Sequence, residues 1–293
     1  MLGQGGFGKV FLGIERATGK KYAIKAIRKD LLIQKNMFEK AALERDILIM
    51  TDHPFLCGAD YVFQTEHRLY LVMPFVNGGE LDRICIKRRR LEESEVKFYI
   101  AQIIIGIGEL HEKDIVHRDL KLSNILLDHT GYIKIIDFGL AKNLKQGDLA
   151  KSFAGTQHYL APEILTSKGS NKAVDWWSVG VILYEMIFGY TPFRGNSRKG
   201  VAQKIINANL EFPERSSSSL NYSDEVVDLI SKLLIKNRST RLGSLADAAE
   251  ILAHPWFADL DLHALERLEI QPPIKPSQSD EENMQFFKTA NNL

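Results

Sequence analysis

A run in the middle of the chain, from His117 to Asn124, combines the side-chain types that phosphoryl transfer requires. That reaction needs little covalent chemistry from a protein. It needs a group that orients the attacking hydroxyl, oxygen ligands that hold a metal ion against phosphate, and positive charge near the transferred group. Asp119, Asn124 and Lys121 supply these in turn. A chance match to this pattern is implausible.

A second candidate carboxylate follows a short apolar run. Asp137 comes directly after this predicted strand and precedes Phe138 and Gly139. The end of a strand exposes such a side chain, and Mg²⁺ prefers hard oxygen ligands that it can share with substrate phosphates. We predict Asp137 and Asn124 to be the metal ligands.

Glycines near the N-terminus follow the pattern G-x-G-x-x-G-x-V, with Gly3, Gly5 and Gly8 before Val10. Glycine lets backbone amides approach phosphate closely because no Cβ is in the way. The same spacing occurs in dinucleotide-binding folds, where a strand precedes the loop and a helix follows it. Here strand-like residues follow, which argues against a nicotinamide oxidoreductase.

Lys25 lies in a predicted strand about one hairpin after the glycines, where its charge could reach the α- and β-phosphates of a nucleotide. Glu44, on a helix predicted over residues 36–50, could orient Lys25 by an ion pair. Glu39 on the same helix is a competitor, and Glu44 is favoured by its place before Arg45. A lone lysine is usually a surface residue, but the order of all these candidates along the chain favours a shared function.

The elements that would position these residues change character along the chain. Short β-branched and aromatic strands are predicted at residues 10–14, 22–27, 61–63 and 69–73, with the helix at 36–50 among them. Further helices are predicted at residues 94–111, 174–188, 199–207 and 224–235. The pattern indicates an α+β fold with a small sheet part and a larger helical part.

Composition excludes several other classes of protein. Of 293 residues, 45% are hydrophobic and 26% charged, which is ordinary for a globular protein. A net charge of +1 gives no argument for nucleic acid or for an anionic membrane. Cys57 and Cys85 are too few for a disulfide framework, which favours a reducing compartment. We expect an intracellular protein, cytoplasmic or nuclear, with no membrane insertion; the basic run at residues 87–90 is read as a solvated face.

From residue 3 to about residue 270 the sequence resembles the eukaryotic protein kinase family. The run Ala161, Pro162 and Glu163 resembles the motif that closes the family's activation segment, and Arg241 resembles the arginine that pairs with that glutamate. Asp175 resembles the aspartate that braces the catalytic loop. The resemblance implies a bilobal kinase-like fold, with an antiparallel sheet lobe carrying one helix and a larger, mainly α lobe. The implied domains are residues 1–75 (ATP-binding lobe), 76–270 (catalytic and substrate lobe) and 271–293 (tail).

Other motifs indicate which branch and which group of the kinase family the sequence resembles. Lys121 with Gly155 and Thr156 is similar to the serine/threonine branch. Within this branch the sequence resembles the AGC group, which includes the cyclic-nucleotide-dependent kinases. The resemblance lies in the runs at residues 52–56, 241–243, 254–257 and 272–276.

This resemblance implies Mg-ATP as the phosphoryl donor, with Mg²⁺ as cofactor, and protein substrates with serine or threonine sites. It also implies an upstream activating kinase, no nucleic-acid partner and a monomeric catalytic domain. Asp119, Lys121, Lys25 and Glu44 would be the catalytic residues. The implied ATP site comprises Leu2, Gly3, Gly5, Gly6, Phe7, Gly8, Val10, Ala23, Lys25, Met73, Pro74, Phe75, Val76, Glu80 and Leu126.

Regulation and substrate choice are implied by four further residues. Ser152 occupies the position of an activation-loop phosphosite and would pair with Arg118. Substrate binding is assigned to Glu80, Thr156 and Glu185, whose acids would favour arginine-containing sites.

Three residues differ from the family pattern, and they favour an alternative function. Ala59 stands where the family has a larger apolar residue, Ser123 replaces a glutamate, and Gln157 replaces a proline. A catalytically weak pseudokinase that acts as a scaffold is therefore the alternative. The start two residues before the glycines and the lack of an aromatic tail motif also suggest a truncated chain.

Overall fold

The computed structural model describes residues 1–4, 8–145, 148–150, 154–215 and 221–276. Within these ranges the strands are β1 (Gly3–Gln4), β2 (Gly8–Ile14), β3 (Lys21–Arg28), β4 (Tyr61–Gln64), β5 (Arg68–Pro74), β6 (Ile115–Val116), β7 (Ile125–Leu127), β8 (Ile133–Ile135) and β9 (Lys142–Asn143). The helices are α1 (Lys29–Gln34), α2 (Phe38–Met50), α3 (Leu81–Arg88), α4 (Glu93–Glu112), α5 (Pro162–Leu165), α6 (Ala173–Phe188), α7 (Arg198–Asn207), α8 (Asp224–Leu233), α9 (Asp247–Leu252) and α10 (Leu262–Glu266). Three short 3₁₀ helices lie at Leu122–Asn124, Gln157–Tyr159 and Pro255–Phe257.

The described chain forms two compact units. The first comprises residues 1–80 and 125–139, with residues 274–276 at the end of the described chain. The second comprises residues 81–124 and 140–273. A strand-rich unit and a helical unit confirm the predicted kinase-like fold class.

An antiparallel sheet of five strands, in the order β1-β2-β3-β5-β4, forms most of the first unit. The register pairs Val10 with Lys25 and Ala23 with Met73. Side chains alternate between the faces of a sheet, and cross-strand partners share a face. Val10, Ala23, Lys25 and Met73 therefore lie on one face of the sheet.

Two helices follow β3. The predicted helix at residues 36–50 is confirmed as α2, whose buried side chains are Ala41, Glu44, Ile47 and Leu48. A carboxylate within an apolar stripe requires a charged partner, which the sheet supplies. The sequence analysis predicted a single helix here and missed α1, which is only six residues long.

The β7–β8 hairpin belongs to the first unit, although the sequence-based division at residue 76 placed it in the larger part. The backbone amide of Cys57 donates to the carbonyl of Ile135 at 2.9 Å, and the amide of Gly78 donates to the carbonyl of Leu127 at 2.8 Å. These hydrogen bonds join the hairpin to the chain around it within the first unit. They also fix the strand end from which Asp137 follows.

The second unit is built around α4 and α6. In α6 every side chain except that of Glu185 is buried, as expected of a central helix surrounded by others. Gly189 ends α6 in the left-handed conformation with φ +80°. A Cβ on this residue would lie 2.2 Å from the carbonyl oxygen of Arg89, so only glycine fits there.

The remaining predicted strands and helices are confirmed within one or two residues at most ends. Among the described residues, no helix is both long and apolar enough to cross a membrane. Cys57 and Cys85 are buried free thiols, and burial raises their pKa values to about 11 and about 12. Neither has the thiolate character that reactive cysteines need.

Candidate active site

The first unit carries a cationic group between two carboxylates. Nζ of Lys25 lies 2.5 Å from Oε1 of Glu44 and 3.4 Å from Oδ1 of Asp137. Glu44 is buried, whereas Glu39 is exposed, so the structure brings Glu44 rather than its competitor to the lysine. Burial disfavours the ammonium, but the charges of Glu44 and Asp137 outweigh it and hold the pKa of Lys25 above its ordinary value.

Asp137 follows β8 with a left-handed backbone, φ +66°, which is uncommon for a residue other than glycine. Its side chain is 48% exposed, while that of Glu44 is 7% exposed. The next glycine, Gly139, donates a long backbone hydrogen bond of 3.4 Å to Oδ1 of Asp137. The carboxylate is thus fixed at one oxygen and accessible to a ligand.

The sheet face that carries Lys25 also carries three of the predicted ATP-site residues, Val10, Ala23 and Met73. At the sheet edge, the amide of Leu2 donates to the carbonyl of Val10 at 2.8 Å, and Leu2 is buried. A mainly apolar face that carries a lysine among its strands is suited to a base and its phosphates.

Close packing of the backbone explains why residue 8 is a glycine. A Cβ on Gly8 would lie 2.2 Å from the carbonyl oxygen of Ala26 on the neighbouring strand. Gly3 begins β1. The predicted phosphate-loop residues Gly5, Gly6 and Phe7 lie outside the described residues.

The predicted hinge follows β5. Pro74 ends that strand, and the amide of Phe75 donates to the carbonyl of Lys21 at 3.1 Å. Val76 is buried. Glu80 forms an isolated antiparallel bridge with Leu126, so these two predicted ATP-site residues lie side by side in the first unit.

The second unit carries Asp119, the carboxylate of the predicted catalytic loop. Oδ1 of Asp119 accepts a hydrogen bond of 2.8 Å from the hydroxyl of Thr156, and Oδ2 accepts one of 2.8 Å from Nζ of Lys121. The same lysine nitrogen lies 2.9 Å from Oγ1 of Thr156. Carboxylate, ammonium and hydroxyl therefore form a closed triangle, and residues from two separate motifs are brought together.

Asn124 supports the same loop. Its amide nitrogen donates to the backbone carbonyl of Asp119 at 2.8 Å. Since the nitrogen serves as a donor, the amide oxygen is the atom that can act as a metal ligand. Asn124 closes the 3₁₀ helix Leu122–Asn124, and Ser123 lies between its two ends.

The backbone of the catalytic loop is held by Asp175. This fully buried carboxylate accepts hydrogen bonds of 2.8 Å from the amides of both His117 and Arg118. Arg118 adopts φ +66°, and its Nε donates to the carbonyl of Leu140 at 2.8 Å. The bracing role that the resemblance implied for Asp175 is therefore matched by its geometry.

A buried ion pair fixes the segment after the loop. Nη1 and Nη2 of Arg241 lie 2.7 and 2.9 Å from the two oxygens of Glu163. Nη1 also donates to the carbonyl of Ala173 at the start of α6, and Nε donates to that of Ile235. The salt bridge that the resemblance implied is present, and its geometry is bidentate.

The predicted substrate acid Glu185 is engaged within the second unit. Its carboxylate accepts a hydrogen bond of 2.5 Å from the hydroxyl of Tyr159. Burial raises the pKa of Glu185, and the charge of Asp82 contributes in the same direction. Burial likewise raises the pKa of Asp82. Sequence analysis did not identify Asp82, since only the fold brings its charge near Glu185.

The predicted phosphosite Ser152 lies outside the described residues.

Sequence analysis did not identify His111, which lies between Asp175 and Asp247. A histidine within a predicted apolar helix is a weak signal, but it could have been noticed there.

Each of the two predicted metal ligands, one in each unit, offers an oxygen atom of the type that magnesium prefers. Asp137 offers an accessible carboxylate, and Asn124 an amide oxygen, both of which are hard oxygen ligands. Among the described residues, no group of three or more His, Cys, Asp or Glu side chains could hold a metal ion without further ligands. Mg²⁺ usually binds through few protein ligands together with substrate phosphates, which agrees with this sparse set.

The family model for the protein kinase domain matches residues 1–257. The chain therefore belongs to the protein kinase family, and a domain of this family implies use of ATP. Over 280 residues the chain is 43% identical to the serine/threonine-protein kinase AtPK2/AtPK19 of Arabidopsis thaliana, covering 95% of this chain and 58% of the relative.

Two animal proteins are similar over nearly the whole chain. The chain is 42% identical to the RAC serine/threonine-protein kinase of Drosophila melanogaster, covering 98% of this chain and 46% of that protein. It is 39% identical to the protein kinase C eta type of Homo sapiens, covering 98% and 42%. These AGC-type relatives confirm the resemblance drawn from the motifs. The chain spans about half the length of the curated relatives that it matches.

Proposed function

We propose that this chain transfers the γ-phosphoryl group of Mg-ATP to serine and threonine hydroxyls of protein substrates, with a preference for basic sites. The observation that carries the proposal is the hydrogen bond of 2.8 Å from the hydroxyl of Thr156 to Asp119, closed by Lys121. Asp119 thus already accepts a hydroxyl of the type that the reaction would phosphorylate.

Asp119 is proposed to orient the substrate hydroxyl and to take its proton. As the hydroxyl oxygen forms a bond with the γ-phosphorus, the bond from that phosphorus to the bridging oxygen breaks and ADP leaves. Lys121, paired with Asp119 at 2.8 Å, contributes positive charge beside the reacting hydroxyl. Asp175 restrains the backbone of the loop that carries both residues, because it accepts hydrogen bonds from two consecutive amides just before Asp119.

Lys25 is proposed to bind the α- and β-phosphates, and Glu44 to hold its ammonium in place. Glu44 is suited to this because it is buried and lies 2.5 Å from Nζ. Asp137 and Asn124 would hold Mg²⁺. When bound, the ion neutralises charge that develops on the phosphate oxygens.

A preference for arginine near the target hydroxyl is proposed from acidic groups. Glu185 is half-buried and near a second acid, Asp82, so the local potential is negative. Arg83 offsets part of the charge of Asp82. A substrate guanidinium paired with Glu185 would further offset the cost of burying these carboxylates. Glu80 is a further candidate acid, in the first unit.

The test is transfer of radiolabelled γ-phosphate to three matched peptides that carry serine, tyrosine or alanine in the same arginine-containing sequence. We expect label on the serine peptide only. A fourth peptide with the arginines replaced by glutamine tests the preference, and Glu185→Gln should reduce the difference between the arginine and glutamine peptides. Labelling of tyrosine would contradict the proposal.

The same assay separates catalysis from scaffolding. A scaffold would show no transfer to any peptide while still binding ATP. In that case the intact Lys25–Glu44 pair would serve nucleotide binding alone.

A further inference from the structure

His111, near the end of α4, lies between two carboxylates. Its Nε2 is 2.9 Å from Oδ2 of Asp175, and its Nδ1 is 2.8 Å from Oδ1 of Asp247. The ring is fully buried, and the ring of Trp176 packs against it edge to face at 4.9 Å between centroids. The chemistry proposed above assigns no role to this group.

Hydrogen-bond accounting determines the charge of the ring. Ionised carboxylates only accept hydrogen bonds, and a neutral imidazole has a single N–H to donate. A neutral His111 would therefore point one nitrogen lone pair at a carboxylate oxygen. With both Asp175 and Asp247 ionised, only the imidazolium, with two N–H donors, satisfies both carboxylates.

The bridge connects distant parts of the second unit. The Asp175 carboxylate that contacts His111 also accepts hydrogen bonds from the backbone amides of His117 and Arg118. Asp247 begins α9 with φ +52°, a backbone conformation that is unfavourable for most residues and therefore indicates a constraint. The chain thus maintains a strained aspartate that contacts the histidine behind the catalytic loop.

The charged groups that face His111 come from the neighbouring helices. Asp175 belongs to α6 and Asp247 to α9, and Lys172, just before α6, donates to the backbone carbonyl of His111. Lys172 is itself paired with Asp114 at 3.0 Å, which offsets its charge. Burial lowers the pKa of His111, but the two aspartates outweigh it and hold that pKa above its ordinary value.

We propose that His111 is a positioning residue for the catalytic loop: as an imidazolium bridge between Asp175 and Asp247 it holds Asp175 where that carboxylate binds the loop amides. This inference rests on the proposed kinase function for its kinetic consequences. The bridge itself does not depend on activity. Because the pKa of His111 is raised, its contribution to stability is complete below the ordinary histidine value and is lost as the pH rises through the higher folded-state value.

The first test is NMR of the folded chain labelled with ¹⁵N and ¹³C in histidine. We expect the His111 ring to carry protons on both nitrogens at a pH where exposed histidines have become neutral. Asp247→Asn should lower the pKa of His111, since an amide can donate to a neutral Nδ1. Asp228→Asn is the matched control, because Asp228 lies 2.9 Å from Nε2 of a different histidine, His254, and does not contact the loop. A singly protonated His111 at neutral pH would overturn the proposal.

The second test uses the phosphoryl-transfer assay. Asp247→Gly removes the carboxylate without backbone strain, since glycine tolerates positive φ. We expect kcat to fall about ten-fold with KM values nearly unchanged, because small displacements of catalytic groups reduce the chemical step. Asp247→Asn should keep kcat near that of the unaltered chain, since it preserves both hydrogen bonds with a neutral ring. Equal kcat for Asp247→Gly and the unaltered chain would overturn the positioning role, whereas inactivity of every variant and of the unaltered chain would refute only the proposed function.

Discussion

At the scale of single residues, the ammonium of Lys25 is held by a buried partner. Glu44 has little access to water, so removing the lysine charge would leave a carboxylate without compensation. Burial alone would lower the pKa of Lys25, and the two carboxylates reverse that effect. Lys25 therefore stays charged across the neutral range.

Glu44→Gln is the first prediction, with Glu39→Gln as its matched control on the same helix. The glutamine loses the charge that fixes Lys25, so we expect kcat/KM to fall about ten-fold or more, equivalent to at least roughly 1.4 kcal/mol of transition-state stabilisation. The exposed Glu39 should tolerate the change without effect. Steady-state kinetics with a serine peptide measure this, and equal losses in both variants would contradict it.

Asp175 gives a pH-dependent prediction. Burial raises its pKa, but the hydrogen bonds from His111 and from the loop amides outweigh burial and hold the pKa below the ordinary value of 3.8. A lowered pKa contributes stability above the ordinary value, and this contribution is lost as the pH falls through the folded-state value.

We therefore expect the difference in unfolding free energy between the unaltered chain and Asp175→Asn to shrink as the pH falls below the ordinary pKa of an aspartate. Urea denaturation at a series of pH values measures it. A difference that grows on acidification would show that Asp175 is protonated in the folded state.

The residues of the candidate site could be identified from sequence where a motif is local. Asp119, Lys121 and Asn124 lie within one loop, and their side chains and the loop backbone form one hydrogen-bonded cluster. Asp247 contacts a residue 136 positions away, and nothing in the sequence near it predicts the contact. Such a partner depends on how α4 and α9 pack, which periodicity does not encode.

At the scale of elements, one buried ion pair fixes the segment around Glu163, which resembles the end of the family's activation segment. Arg241 joins α5 to the carbonyl of Ala173 at the start of α6 and to the chain that follows α8. We expect Arg241→Ala to cost about 3–5 kcal/mol, because it leaves Glu163 buried without a cation.

Arg267→Ala is the matched control, since Arg267 pairs with Glu269 while both side chains are mostly exposed. Exposed pairs contribute only about 0–1 kcal/mol. Chemical denaturation of the two variants measures the difference. Similar losses in the two variants would mean that burial of the Arg241 pair has no energetic importance.

The longer helices could be located from the sequence because each carries a sustained apolar pattern. The helix predicted at residues 94–111 is α4, and that at 174–188 is α6. α1 was missed because six residues give too few turns for a periodic pattern. The grouping of the β7–β8 hairpin with the first unit also could not be predicted, since it depends on backbone hydrogen bonds to Cys57 and Gly78.

At the scale of the whole molecule, ligand binding should appear as stability. A ligand that binds only the folded state at a concentration of about 100 Kd adds about 2.7 kcal/mol to the unfolding free energy. We expect Mg-ATP to raise the melting temperature of the chain, and removal of magnesium with EDTA to reduce the rise.

Asp137→Asn tests the metal ligand in the same experiment. We expect this variant to respond equally to ATP with and without magnesium, because the proposed carboxylate ligand has been removed. Asp52→Asn, at an exposed aspartate of the same unit, is the control and should respond like the unaltered chain. A full magnesium response in Asp137→Asn would assign the ion to other ligands.

The dependence of phosphoryl transfer on Asp119 can be measured in one comparison. Label transfer from γ-labelled Mg-ATP to an arginine-containing serine peptide is measured for the unaltered chain, for Asp119→Asn and for Asp259→Asn, a change at an exposed aspartate. We predict transfer by the unaltered chain and by Asp259→Asn, and a loss of at least about a hundred-fold in Asp119→Asn, in which the amide can no longer take the proton. Undiminished transfer by Asp119→Asn would contradict the account.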